Sequence, residues 1–232
     1  MDFVTRYAIN YSQRCRANRA KVFRRLFAVS ADTKLLDLGS EVGEHVAKLV
    51  AGTEIEPANV YIADITAEAV NEGSRRFGFT PVVIGESGTL PFPDDYFDIV
   101  HCSSVIEHVT VPKADVWSVH SGREFRNRAE EAQAKFAREI MRVGRQFYVQ
   151  TPNKWYPVES HTWLPFVGWL PRRLLIPLLR LTNSYWVKQT GPDWHLLDAR
   201  QLSRVFEGRP VIKERSFGLV KSVTVFKSDP PD

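Results

Sequence analysis

Leu35-Leu36-Asp37-Leu38-Gly39-Ser40-Glu41-Val42-Gly43 sets the terms for the rest of the chain: an apolar run of strand length ends in a glycine-spaced turn, and an amphipathic segment comes at once after it. A strand, a tight turn and a helix in that order form the unit that holds nucleotide-like ligands at the open end of a parallel sheet. A single such unit also occurs in α/β proteins that bind nothing there, so its meaning depends on the residues downstream. They repeat the unit. Lys34 to Leu38 reads as a strand, Glu44 to Ala51 as a helix, Val60 to Ala63 as a strand, and Ala67 to Phe77 as a helix stopped by Gly78. Pro81 to Ile84 and Phe97 to Cys102 are two more strands, Arg123 to Arg142 is a long charged helix ending at Gly144, and Gln146 to Gln150 is the next strand. Strands alternating with helices predict a mainly parallel, doubly wound, Rossmann-like α/β sheet covered on both faces.

The pattern breaks after Thr151-Pro152-Asn153. Five of the six tryptophans fall between Trp155 and Trp194, and Pro165, Pro171 and Pro177 recur at six-residue spacing. Regular structure resumes at Asp198, which with Gln201 makes a helix-start signature; Val211 to Arg215 and Ser222 to Phe226 then close the sheet. Ahead of the core, apolar residues from Tyr7 to Phe27 recur near helical spacing among Arg14, Arg16, Arg19, Lys21, Arg24 and Arg25, which predicts a basic amphipathic helix from about residue 8 to 28. A covering helix with a solvated charged face is the preferred reading of it.

Composition excludes several classes. With 44% hydrophobic and 25% charged residues, 232 residues can bury a full core as one domain, so disorder is not the default. Cys15 and Cys102 are too few, and too unlike any ligand spacing, for a disulfide framework or a metal site, so no metal is expected. No apolar run of signal-peptide or membrane-spanning type is found. A cytoplasmic protein, at most attached to a membrane surface, is the expectation.

Ligands of a parallel sheet sit beyond the carboxyl ends of its strands. After the first strand come Asp37, Gly39, Ser40 and Gly43; after the second Asp64, about 20 residues past the glycines, where a carboxylate can accept both hydroxyls of a ribose. Gly85-Glu86-Ser87-Gly88 follows the third, and Ser103-Ser104-Val105-Ile106-Glu107-His108 the fourth. The first turn carries Asp37, Glu41 and Glu44, whereas a pyrophosphate wants a helix N-terminus free of nearby acids. Acids there suit a cationic sulfonium and an ammonium group.

Leu36-Asp37-Leu38-Gly39, Ala63-Asp64-Ile65-Thr66, Leu90-Pro91-Phe92-Pro93-Asp94 ahead of Phe97-Asp98, and Ser104-Val105-Ile106-Glu107-His108-Val109 together resemble the class I S-adenosylmethionine-dependent methyltransferases of small-molecule type. The resemblance covers roughly residues 30 to 152. It implies a seven-stranded, mostly parallel sheet with an antiparallel last strand, S-adenosyl-L-methionine as cofactor, and a single methyltransferase domain over residues 1–232, with an N-terminal basic helix over 1–30 and an inserted lid or acceptor segment over 153–195. It further implies that Asp37 and Gly39, with Ser40 and Gly43, frame the methionine portion, that Asp64 and Ile65 meet the ribose, Glu86 and Ser87 the adenine edge, and Ser103 the sulfonium side. Glu41 departs from the pattern, which usually has glycine there.

Methyl transfer from a sulfonium asks the protein mostly for positioning. A base is needed only where the acceptor must lose a proton, and His108, His161 and His195 are the candidates. Glu159 and Asp193 each lie two residues before a histidine and are placed to orient His161 and His195. The insert over 163–181 leaves three roles open: a lid over an acceptor pocket, a packing or homo-oligomer contact, or a patch dipping into a membrane interface. The expected acceptor is a small molecule or a lipid- or glycan-linked one, methylated at oxygen. A nucleic-acid substrate is disfavoured, because neither the block that grips a flipped adenine nor a Pro-Cys nucleophile pair is found. A non-catalytic scaffold that retains the fold is the alternative from another class.

Overall fold

The computed structural model describes residues 3–85, 88–186 and 188–228, with the side chains of all of these except residues 3–10 and 12. Seven strands, β1 (Leu35–Leu38), β2 (Val60–Asp64), β3 (Thr80–Val83), β4 (Phe97–Ser103), β5 (Gly144–Pro152), β6 (Val211–Ser216) and β7 (Leu219–Lys227), form one sheet in the order β3-β2-β1-β4-β5-β7-β6. The first five run parallel; β7 pairs antiparallel with both β5 and β6. Strand order reverses between β1 and β4, and the crevice beyond their carboxyl ends is the place where a sheet of this kind takes a ligand. The doubly wound α/β fold and its antiparallel last strand are as the sequence predicts.

Both faces of the sheet are buried, which is why its strands read as nearly continuous apolar runs. Leu36, Leu38, Val100 and Cys102 point to one face, where Phe136 and Ile140 of α4 (Gly122–Val143) and Leu202 of α6 (Ala199–Val205) cover them. Leu35, Val60, Ile62 and Ile99 point to the other, under Phe23 of α1 (Phe3–Leu26), Val46 of α2 (Glu44–Val50) and Val70 of α3 (Ala67–Phe77). The basic helix therefore starts and ends earlier than its periodicity suggests, and its apolar side is part of the main core. Phe27, just past its end, is buried in the same cluster.

Two polar devices fix the loops on the α4 side. Arg142 donates to the carbonyls of Phe92 and Leu90 and pairs with Asp94 and Glu139, while Glu139 accepts from the Leu90 amide, so the Leu90-Pro91-Phe92-Pro93 turn is stapled to the last turn of α4. Asp198 caps α6 in a full capping box with Gln201.

The insert supplies α5 (Arg172–Thr182), which builds a satellite core from Val167, Leu175, Leu179, Trp194 and Leu196. Arg172 ties it down. Its guanidinium is buried, donates to the carbonyls of Val119 (2.5 Å), Pro192 (2.6 Å) and Val116, and lies 3.6 Å over the Phe125 ring. Phe166, Trp169, Leu174 and Leu181 remain exposed on the insert's outer side. No helix among the described residues is long and apolar enough to cross a membrane.

Candidate cofactor and acceptor cavity

The turn after β1 is shaped by backbone handedness. Gly39, Glu41 and Gly43 all have positive φ (70°, 51° and 75°), so the chain passes through the left-handed region at every second residue. Glu41 thus takes at its own cost, about 1 kcal/mol, the conformation that glycine adopts freely. Its side chain is exposed, and its amide donates to Asp64 Oδ2 at 3.1 Å. Gly39 has a second reason to lack a side chain: a Cβ there would lie 2.3 Å from Val105 Cγ2, in the loop after β4. Ser40 closes the turn by donating to the Asp37 carbonyl at 2.6 Å.

Asp37 is only 3% exposed, because side chains alternate along a strand and its neighbour Leu38 faces the α4 side. The sheet register sets its partner. Asp37 stands opposite His101 on β4, and His101 opposite Tyr148 on β5. Asp37 Oδ1 meets His101 Nδ1 at 2.6 Å, His101 stacks on Tyr148 with centroids 5.6 Å apart, and Phe23 of α1 packs edge-on against both rings. Asp64 accepts from the backbone amides of Glu41 (3.1 Å) and Thr66 (3.0 Å) and does not itself line the cavity that joins this turn to the insert. Ile65 beside it is exposed. Glu86 and Ser87 lie outside the described residues.

One cavity of about 1200 Å³ joins this turn to the insert. At one end it is lined by Asp37, Gly39, Glu41, Glu44 and Ser103, with Arg16 and Arg19 of α1 above. At the other it is lined by His108, Glu159, His161, Trp163, Trp186 and Lys188. Backbone at Gly39 and the three acids at the turn end of the lining, Asp37, Glu41 and Glu44, fit S-adenosylmethionine, whose sulfonium and ammonium are cationic. Ser103 reaches this space from the end of β4, its hydroxyl donating to Gln150 Oε1 at 2.7 Å.

The far end is a cluster of carboxylates and imidazoles. A single 3-10 turn over Ile106–His108 brings Glu107 inward, where it is fully buried: Oε2 accepts from Thr151 Oγ1 at 2.9 Å and Oε1 has no hydrogen-bond partner among the described residues. Burial pushes the Glu107 carboxyl upward, against the pull of His161 and His108. His161 Nδ1 meets Glu159 Oε1 at 2.5 Å, its Nε2 lies 3.9 Å from Glu107 Oε1, and Trp194 stacks on the ring. His108 stands edge-on to His161, centroids 4.6 Å apart, with Nδ1 3.3 Å from Asp193 Oδ2. Burial opposes the His108 imidazolium, yet Asp193 and Glu107 outweigh it and raise its pKa.

The structure thus brings His108 and His161 together and leaves His195 aside. His195 Nδ1 faces Gln133 Oε1 at 3.1 Å, its ring is absent from the cavity lining, and burial pushes its pKa down to about 4. Glu159 orients His161, as their spacing suggests, but Asp193 orients His108 instead of His195. Residues 193 and 195, on either side of buried Trp194, take different partners. Gln133 and Thr151 escape sequence reasoning, although Gln133 leaves a signal: a polar residue in the apolar stripe of α4 between Ala129 and Ala137. Its amide donates to the carbonyls of Ile106 and His195, both at 2.9 Å, and so holds the 3-10 turn in place.

The family described as "Methyltransferase domain" matches residues 36–146. The ubiquinone/menaquinone biosynthesis C-methyltransferase UbiE of Vibrio vulnificus is 35% identical over 85 residues, which is 33% of this chain and 32% of that protein. The chain therefore spans about a third of the length of the curated relatives it matches. Among solved structures, a protein from Pyrococcus horikoshii superposes with a TM-score of 0.54 at 16% identity, over 94% of this chain and 91% of that one. Magnesium protoporphyrin IX methyltransferase from Synechocystis, with bound SAH, superposes with a TM-score of 0.53 at 12% identity, over 98% and 89%. At such identities these two likenesses speak for the fold.

Proposed function

We propose that this chain, a class I S-adenosylmethionine-dependent methyltransferase, moves the methyl group to an oxygen of a small-molecule acceptor held between the Asp37–Glu44 turn and the 153–195 segment. The observation that carries this reading is the single cavity that runs from that turn to His108 and His161. Bound S-adenosylmethionine supplies an already activated methyl group, so the protein's task is alignment and water exclusion. Gly39 offers backbone in the cavity lining, Gly43 packs the turn against Ile62 and Phe79, and Asp37, fixed by His101, keeps the turn in shape. Of the acceptor end, Glu159, His161, Trp163, Trp186 and Lys188 lie after residue 146, beyond the family match, whereas His108 lies within it.

A hydroxyl acceptor sheds its proton before or during transfer. His108 and His161 each have Nδ1 engaged by a carboxylate, which leaves Nε2 to take the acceptor's proton or to hold a cation, one or the other. Trp163 and Trp186 offer flat apolar walls for a ring, apolar or sugar, and Lys188 sets a cation beside them. A lipid-linked acceptor is the finer reading that the exposed Phe166, Trp169, Leu174 and Leu181 favour; sedimentation with anionic vesicles tests it, and a chain left wholly in the supernatant removes it.

The central test pairs calorimetry with S-adenosylmethionine and transfer of an isotope-labelled methyl group to fractions of a cell extract. Binding with label in the small-molecule fraction is expected. No heat of binding would make the chain a scaffold, and label confined to RNA or DNA would replace the acceptor class.

A further inference from the structure

Glu107, His108 and His161 offer one carboxylate oxygen and two imidazole nitrogens within 4.8 Å of one another; the two histidines line the cavity and Glu107 is fully buried next to them. We propose that these three residues bind a divalent transition cation of the zinc class.

Three independent features point to a cation there. The first is the bare oxygen. Glu107 is completely buried, its Oε2 is satisfied by Thr151, and its Oε1 has no hydrogen-bond donor among the described residues. His161 Nε2, at 3.9 Å, is too far to be that donor. An unpaired carboxylate oxygen in a dry site is costly, and a metal ion removes the cost. The second is the outer shell. Metal-binding histidines commonly give their other ring nitrogen to a carboxylate, which fixes the tautomer and raises the basicity of the free nitrogen. Both histidines have such a partner: Glu159 Oε1 at 2.5 Å from His161 Nδ1, and Asp193 Oδ2 at 3.3 Å from His108 Nδ1. The third is convergence. One ligand atom from each of the three side chains lies within 4.8 Å of the other two, and Trp194 stacked on His161 holds that ring in place.

Dimensions agree. With metal–ligand bonds of about 2.0–2.2 Å, neighbouring ligand atoms around one ion are about 3 Å apart. The 3.9 Å between His161 Nε2 and Glu107 Oε1 closes to that by a small side-chain rotation. Two imidazoles and one carboxylate suit zinc, and equally iron(II) or manganese(II), with positions left open for an outside ligand. Because the ligands come from the β4 turn and the insert, 53 residues apart (108 and 161), no short spacing announces them. The site stands on its own residues; the role we give it, holding the acceptor's oxygen beside the methyl group, rests on the methyl-transfer reading.

Cobalt(II) is the probe, added to untagged, EDTA-stripped full-length protein and followed by visible d–d absorption, with zinc as competitor and S-adenosylmethionine affinity measured in parallel. One cobalt per chain, displaced by zinc, is expected. Glu107→Gln and His161→Asn should each weaken binding by more than about 100-fold, and the outer Glu159→Gln by about 10- to 100-fold. Unchanged S-adenosylmethionine affinity in the same variants shows that the fold survives. Absence of a stoichiometric cobalt complex, or one that persists in both Glu107→Gln and His161→Asn, overturns the proposal. Cobalt binding without any S-adenosylmethionine binding would keep the site and discard only the methyl-transfer role.

Discussion

Asp37 shows how a residue in the cofactor turn is held by chemistry away from it. A carboxylate on a strand buried on both faces must find a partner, and the β1–β4 register places His101 directly opposite. Replacing His101 by Phe keeps the stack on Tyr148 and the volume under Phe23, so the change isolates the polar contact. The carboxylate is then left buried without its donor, for which we expect a loss of about 3 kcal/mol. Urea unfolding would show it as a lower midpoint at unchanged slope, and S-adenosylmethionine affinity should fall with it as the turn loosens. A loss under about 1 kcal/mol would mean that Asp37 finds solvent through the cavity.

The insert is the element that the sequence describes least well. Its prolines, tryptophans and arginines leave lid, packing contact and membrane patch open, because composition does not say which side of a short helix turns inward. The structure divides the residues among roles: Leu175 and Leu179 pack, Trp163 and Trp186 line the cavity, and Leu174 and Leu181 stay outside. Arg172 and Arg173 are adjacent and alike in the sequence, yet Arg172 is buried among carbonyls. Arg172→Met removes three donors and leaves those carbonyls bare, so α5 and the 116–119 loop should lose amide-exchange protection while β1 and β4 keep theirs. Arg172→Lys should recover only part, since an ammonium lacks the planar fork. Full protection in Arg172→Met would show that apolar packing alone holds the insert. The parallel core was legible because strand and helix periods, a capping box and strand-end acids all agree locally. The acceptor end was legible only as residue types, since Asp193 meets His108, 85 residues away (193 − 108), through a turn that no local rule fixes.

At the scale of the whole molecule, stability should depend on acid in a definite direction. His45 on α2 and His195 after the insert belong to different parts of the fold, yet burial pushes both down, to about 3 and about 4, helped at His45 by His101 and Arg19 and at His195 by Lys154. An unfolded histidine titrates near about 6.5. Below that pH the unfolded chain takes up protons that the folded chain refuses, so the stability these two confer is complete above about 6.5 and drains away as pH falls toward 4 and 3. Each proton of difference corresponds to about 1.4 kcal/mol per pH unit. Glu159 and Asp193, held low by His161 and His108 against burial, act in the same direction at lower pH. Glu107, raised by burial, and His108, raised by Asp193 against burial, act the other way, so the slope is less than a sum over the first group. His45→Gln removes one refused proton without touching the His108 and His161 cluster. Denaturant midpoints measured from pH 7 to pH 4.5 should therefore fall less steeply in this variant, by about one proton's worth of slope, with the two curves converging or crossing toward acid. Parallel curves for the two proteins would mean that His45 is protonated in the folded state, and that the wall of the cavity beside the cofactor turn is wetter than its burial implies.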